Sequence, residues 1–491
     1  MADKSLNKAA GQLDETTWGH RWGYTDTRFV LNPDLTVKVT GDRYAVSGYD
    51  MPGFIPFLED TLQIKFDPTD LKPERTDKPV PPPVINDAFC TALAAAFPAT
   101  RYTTDTRERL LHSHGQTTVD EVYQVLYTHL DRVADLVFYP ESQEEVARLI
   151  ELAEAHDACL VPYGGGTSVS CALKLPPSET RMIVSVDMRR MDAIEWIDRE
   201  NLRARVQAGI TGAHLEERLA AEGFTCGHEP DSVELSTLGG WIATNASGMK
   251  KNRYGNIEDL VENATLVTPR GVVEHRMSMP RVSMGMEPQR LVFGSEGNLG
   301  IITSAIIRIH RLPEVKRYGS YVFRDFQTGT AFLHDLTQSG ALPASIRLVD
   351  NTQFRFGQAL KGRPTSKDKL MSRVQQTYLL QIKGFDPRQL AAATIVMEGS
   401  AAEVDYQEAT IKRIAARHGG ISGGAHNGQR GYMLTYAIAY IRDFLTDYHI
   451  IGETYETTVP WSNIQEVCDA VAARAPEMHG ELRVPGQPYV P

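Results

Sequence analysis

Three glycine-rich stretches limit what this chain can become: "PYGGGTS" (162–168), "DSVELSTLGGWIATNASG" (231–248) and "GSEGNLGII" (294–302). Bare backbone loses more conformational freedom on folding than any other, so something has to use the latitude it brings. A tight turn, a phosphate cradle and a close approach to a flat cofactor all qualify. Taken singly, each stretch reads as an ordinary turn. Together they suit a nest of exposed backbone N–H groups that binds a pyrophosphate and that bulky side chains would block. None of the three has the spacing G-x-G-x-x-G, and no P-loop lysine follows them. Neither a Rossmann site nor a P-loop is supported, so the chain needs a different nucleotide-cofactor fold.

The surrounding pattern alternates strand and helix from about residue 134. Ser142-Gln143-Glu144-Glu145 has capping-box spacing, and Val146, Leu149, Ile150 and Ala153 follow at helical intervals, which predicts a helix to about Asp157. Strands are predicted at 182–186 and 203–208, with a helix from Thr211 to Gly223 and a turn at "TPRG" (268–271). "IITSAIIRIHRL" reads as an edge of β-rich structure closing the block near Leu312. Ahead of it lie a lead-in segment (1–71), a stiff proline-rich linker (72–84) with Pro81, Pro82 and Pro83 in succession, and a helical part (85–133). Behind it lies a second domain (313–491), in which "GYMLTYAIAYIRDFL" (431–445) is apolar on nearly every face and predicts a buried helix.

At 491 residues the chain is too long for one core. A net charge of -11 argues against broad nucleic-acid binding, so any anionic ligand must meet a local basic site. The five cysteines are scattered without paired spacing, and neither a disulfide framework nor a metal site is indicated. The N-terminus has no apolar core of a secretory signal. Ser5-Leu6 and Gln12-Leu13 have the spacing of an N-terminal peroxisomal signal, but its first basic residue is missing.

The stretches "PYGGGTSVS", "GHEPDSVELSTLGGWIATNASGMKKNRYGNIEDLV", "GSEGNLGIIT", "ASIRLVDNTQFRFG" and "NGQRGYMLTYAIAYIRD" resemble the alkyldihydroxyacetonephosphate synthases, a family within the vanillyl-alcohol-oxidase-type flavoproteins. The resemblance runs from about Trp18 to Trp461. It implies an α+β fold: a PCMH-type FAD-binding domain (134–312) of two α+β subdomains, plus a cap domain (313–491) with an antiparallel sheet and helices. FAD, held non-covalently, would be bound by Pro162, Tyr163, Gly164, Gly165, Gly166, Thr167 and Ser168; by Asp231, Ser232, Val233, Glu234, Leu235, Ser236 and Thr237; by Thr244, Asn245, Ala246 and Ser247; and by Glu296, Gly297, Asn298, Leu299, Gly300, Ile301 and Ile302. Cys171 and His228 lie near matching loops, and packing or polar contacts suit them better than a covalent link to flavin.

The reaction that the resemblance implies exchanges the acyl chain of acyl-dihydroxyacetone phosphate for a fatty alcohol. It runs through a flavin N5 adduct with no net redox change. An acidic protein needs a fixed cation for the substrate phosphate, and a guanidinium offers paired donors. Arg430 matches the family's phosphate-binding arginine, and Arg347 another arginine important for activity. Either could instead be a plain salt bridge. His228 suits proton transfer near the flavin or a place as a polar core histidine, and the helix 431–445 suits a tunnel for the aliphatic chains or simple core packing. Partners implied are the two lipid substrates, a membrane surface and a second copy of the chain, in a peroxisome or similar organelle. A flavin oxidoreductase acting on a 2-hydroxy acid, and a flavin-binding fragment without turnover, are the rival readings. The family's acid/base tyrosine and histidine run have no match here, and His479 and Tyr489 are not assigned those roles. The sequence therefore predicts a C-terminally shortened family member with an incomplete cap.

Overall fold

The Ser142 hydroxyl accepts from the Glu145 amide at 3.2 Å and starts the helix Gln143–Ala155. The reciprocal half of a capping box does not form, because the Glu145 carboxylate turns to the Glu141 amide and to Arg101. The helix buries Val146, Leu149, Ile150, Leu152 and Ala153 against the strands Leu136–Phe138 and Ile183–Asp187. Each of the valine, leucine and isoleucine side chains withdrawn from water contributes about 1.5–3 kcal/mol, and the alanine methyl less. This computed structural model describes residues 16–75, 79–275, 279, 283, 285–364, 381–483, 486 and 488. The Ser5-Leu6 and Gln12-Leu13 pairs and Tyr489 lie outside the described residues.

Two compact units emerge: Met1–Thr25 with Pro73–Leu312, and Asp26–Lys72 with Pro313–Pro491. The first holds a four-stranded sheet in the order Tyr102–Thr103, Leu136–Phe138, Ile183–Asp187, Cys159–Tyr163, parallel except at its first pair. It also holds a five-stranded antiparallel sheet in the order Gly271–Val273, Val261–Thr268, Ile301–Arg308, Arg203–Gln207, Ile194–Asp198. Ile301–Arg308 is thus the central strand, not an edge. It is buried without a break from Ile301 to Ile307, Thr303 and Ser304 included, which is the mark of a strand covered on both faces. "TPRG" turns the hairpin between Val261–Thr268 and Gly271–Val273 as expected. The described residues of the proline-rich stretch form no helix or strand, and its end is docked: Arg109 donates to Pro81 O at 2.8 Å, and Val84 N donates to Asp135 at 2.8 Å.

The second unit is built on an antiparallel sheet in the order Ser345–Val349, Ala391–Gly399, Val315–Phe323, Ile421–Ser422. The helices Phe326–Gln338 and Ala401–Arg417 cover it through Phe332, Leu336, Val404, Ile411 and Ile414. Residues 26–72 belong here instead of forming a separate lead-in, because their aromatics find their partners here: Phe54 packs on Phe356 and Phe444, and Tyr44 on Tyr440. The stretch 431–445 is not one helix. It is divided among a helix Ala425–Met433, a 3-10 turn Leu434–Ala437 and a helix Ile438–Thr446. No described helix is long and apolar enough to cross a membrane.

Candidate functional site

The strand Cys159–Tyr163 delivers the first glycine loop to the edge of its sheet, and what surrounds each glycine explains the triplet. A Cβ on Gly165 would fall 2.0 Å from Leu235 O, and Gly166 has φ +66° with the Tyr163 hydroxyl 2.5 Å from where a Cβ would sit. Three successive loop carbonyls are engaged from one flank: Gln116 Nε2 donates to Gly165 O (3.1 Å), Gln116 N to Gly166 O (2.7 Å), and Thr117 Oγ1 to Thr167 O (3.2 Å). The N–H groups of Gly164 through Ser168 find no acceptor among the described residues. A row of unspent donors opposite a row of satisfied acceptors is the cradle a pyrophosphate needs, so these residues fit the diphosphate of FAD.

The flank that holds this loop, His112 to Thr118, escaped the sequence reading. His112 Nε2 meets Asp187 Oδ2 at 2.9 Å, Arg189 closes on the same carboxylate at 2.6 Å, and the His112 ring lies 4.6 Å from the Tyr163 ring. Burial pushes the Asp187 carboxyl up, but the Arg189 and His112 contacts outweigh it and hold the group well below the usual carboxylate range. Two histidines and a glutamine just beyond the short helix Thr106–Leu111, in "RLLHSHGQ", are the only signal on offer.

The other predicted loops gather on the first. Leu235 and Thr237 abut Gly165 and Gly164, and Pro162 abuts Gly297, whose Cβ would lie 2.9 Å from the proline ring. Thr237 caps the helix Leu238–Ala243, which leads to Thr244, to Asn245 at φ +50° and to Ala246. Glu296 also has a left-handed φ, +46°, unusual for a glutamate, and it accepts from Ser170 at 2.6 Å and from no backbone of its own turn. Ser247 donates to Asn256. Not every predicted side chain faces the cradle. Val233 packs against Gly212, Ser236 pairs with Trp241, and Ile301 and Ile302 are core positions 3% and 7% exposed. Asp231, Ser232, Glu234, Asn298, Leu299 and Gly300 lie in the connecting turns.

His228 is buried with its ring edge-on to Trp241 at 4.8 Å, and neither ring nitrogen has a partner among the described residues. Burial lowers its pKa from 6.5 to about 4, so the ring is neutral at pH 7. The unfolded chain therefore takes up a proton that the folded chain refuses. Stability is complete above pH 6.5 and declines as pH falls toward 4, by about 3 kcal/mol for this residue. Urea unfolding at pH 7 and pH 4 should show wild type losing about 3 kcal/mol more than His228→Gln over that interval; equal losses would refute the neutral ring.

In the second unit, Gly428 and Gly431 allow the helix Ala425–Met433 to press on the sheet, since added Cβ atoms would meet Gly319 O at 2.2 Å and Thr394 at 2.5 Å. Arg430 then turns its guanidinium to the helix Asn351–Ala359, where Nη2 donates to Gly357 O at 2.7 Å. Its Nε and Nη1 are buried without an acceptor among the described residues, and desolvation lowers its pKa. Arg347, on Ser345–Val349, donates to Thr435 Oγ1 at 2.6 Å, so it ties the sheet to the turn that follows the Arg430 helix.

Residues 134–276 match the FAD binding domain family, and residues 312–484 match the C-terminal domain of FAD linked oxidases. With the cradle described above, these matches define a flavoprotein that binds FAD. An alkyldihydroxyacetonephosphate synthase of Caenorhabditis elegans is 43% identical over 91% of this chain and 74% of its own length. Its counterpart in Dictyostelium discoideum is 32% identical over 91% of this chain and 74% of its own length. A solved structure of an alkyldihydroxyacetonephosphate synthase matches with TM-score 0.85 at 30% identity, covering 96% of this chain and 86% of its own. The chain belongs to the alkyldihydroxyacetonephosphate synthase family.

Proposed function

We propose that this chain makes the ether bond of ether lipids by exchanging the fatty acid of acyl-dihydroxyacetone phosphate for a fatty alcohol. The C1–O bond to the acyl group breaks and the fatty acid leaves as carboxylate. The alcohol oxygen then bonds to C1 and gives up its proton, with no net transfer of electrons. The observation that carries the reading is an arginine with two buried donors that find no partner among the described residues, in a chain of this family that also holds an FAD cradle. Such a guanidinium suits a phosphate monoester, which can take paired hydrogen bonds. When bound, FAD supplies a reactive centre for covalent catalysis without net oxidation.

Within this reading Arg430 binds the substrate phosphate. Arg347 acts through Thr435 on the segment that carries Arg430, and is a positioning residue. His228, neutral and with neither ring nitrogen engaged among the described residues, suits a hydrogen bond near the flavin rather than holding a proton, since burial keeps its pKa at about 4. FAD is held without a covalent link. The long aliphatic substrates support peripheral contact with a membrane surface; assembly as a homodimer and a peroxisomal location follow from the family alone.

The test incubates the full chain, loaded with FAD, with acyl-dihydroxyacetone phosphate and labelled fatty alcohol. Labelled ether product and free fatty acid in equal amounts are expected. Flavin bleaching by a 2-hydroxy acid with no exchange product would move the chain to the oxidoreductase reading. Bound flavin with neither reaction would mark a flavin-binding protein without turnover.

A further inference from the structure

Arg430 is not the only cation at the end of the helix Asn351–Ala359. Lys361 leaves that helix two residues beyond its end, with its backbone N–H on Gln358 O at 3.1 Å. The segment after it is pinned to residues 49–53. Tyr49 packs on Gly362, where a Cβ would fall 2.7 Å from the ring, Gly53 packs on Ala359, and Arg363 pairs with Asp34 and with Asp50. Tyr49 therefore lies against the residue that follows Lys361, and the Arg430 guanidinium sits on Gly357 O in the turn before it, so all three belong to one end of this helix within the second unit. Among the described residues no carboxylate is paired with Lys361 or Arg430: Asp34 and Asp50 are engaged by Arg363, and Asp60 by Arg355.

Two like charges brought together without a counter-ion repel, and the folded chain keeps them so only at a cost. Lys361 is an exposed residue, yet desolvation and then the Arg430 charge lower its pKa. Desolvation raises the pKa of Tyr49, so its phenol keeps its proton and remains a donor at neutral pH. An anion between the two cations removes the repulsion and uses the unpaired Nε and Nη1 of Arg430.

We infer that Lys361 and Tyr49 complete, with Arg430, an anion subsite for a phosphate monoester dianion. In it Arg430 supplies the directed donors, Lys361 the second charge and Tyr49 a hydroxyl. The inference rests on the reading of the substrate as a phosphate ester and adds two substrate-binding residues to it. It also sets specificity, since two cations favour a dianionic phosphate over a singly charged carboxylate.

Inorganic phosphate is the probe, titrated calorimetrically into the flavin-loaded full chain at pH 7.5, with acetate as the monoanion control. Wild type should prefer phosphate. Lys361→Met should weaken phosphate binding about 10-fold, Lys361→Arg should restore most of it, and Tyr49→Phe should weaken it about 3-fold. With acyl-dihydroxyacetone phosphate, the Lys361→Met loss should fall on KM more than on kcat. Unfolding midpoints and flavin spectra exclude a folding defect. If Arg430→Ala abolishes phosphate binding while Lys361→Met and Tyr49→Phe bind as wild type does, the inference is overturned and the phosphate-ester reading stands. If Arg430→Ala also binds as wild type does, both fail.

Discussion

A Gly165→Val chain is expected to purify colourless, with FAD affinity reduced at least about 100-fold while the apo chain still unfolds cooperatively. The first Cβ atom alone would lie 2.0 Å from Leu235 O and 2.6 Å from its carbonyl carbon, and a backbone cannot yield as a flexible side chain does. The two walls of the cradle must part. The loop cannot follow, since Gln116 and Thr117 hold its carbonyls. What is lost is the alignment of the Gly164–Ser168 donors, and misplaced charge-assisted hydrogen bonds forfeit several times about 1 kcal/mol. Gly223→Ala is the control: its φ of +84° makes an alanine strained, but nothing lies within 4 Å. That variant should lose about 1 kcal/mol of stability and keep its colour. The ratio of flavin to protein absorbance and an FAD titration of the apo chain decide the matter. Full yellow colour in Gly165→Val would remove the loop from the cofactor site.

The glycine loops were legible because their requirement is local: a residue that must lack a Cβ, or take positive φ, announces itself wherever it stands. What grips the loop was not, since Gln116 reaches Gly165 across 49 residues and His112 reaches Asp187 across 75. Neither spacing follows any period. The same reason hid the place of residues 26–72, because Tyr44 meets Tyr440 across 396 residues. In the stretch 431–445 the apolar composition was read correctly as burial and wrongly as one helix. Thr435 sits buried in the 3-10 turn with Arg347 on its hydroxyl, and that partner is remote in sequence. Ile301–Arg308 reads as an edge because it ends its block in sequence, whereas the isoleucine pairs on either side of Thr303-Ser304-Ala305 suit the centre of a sheet covered on both faces. Arg430 was legible through its motif alone. Nothing in the sequence could say that two of its donors are buried and unspent, or that Lys361 and Tyr49 stand beside it.

Replacing Arg430 by methionine should move activity and stability in opposite directions. The guanidinium is desolvated, its Nε and Nη1 are unpaired, and its one hydrogen bond among those described is to Gly357 O. A buried cation with unsatisfied donors costs the folded state free energy, and an apolar chain of similar volume removes that cost. The unfolding midpoint of Arg430→Met should therefore equal or exceed that of wild type. Catalysis should suffer, because loss of one partner from a desolvated charge pair costs 2–5 kcal/mol, roughly, which is a fall in kcat/KM of about 10³-fold. Arg430→Lys should recover only part of this, since an ammonium restores charge without the planar fork that two phosphate oxygens can meet at once. The dependence on pH gives an independent readout. A phosphate monoester gains its second charge near pH 6, so wild-type affinity should rise as pH climbs through that value, and the rise should flatten in Arg430→Met. A variant that unfolds more easily than wild type while its KM stays put would make Arg430 a structural residue, and the phosphate would have to be sought elsewhere.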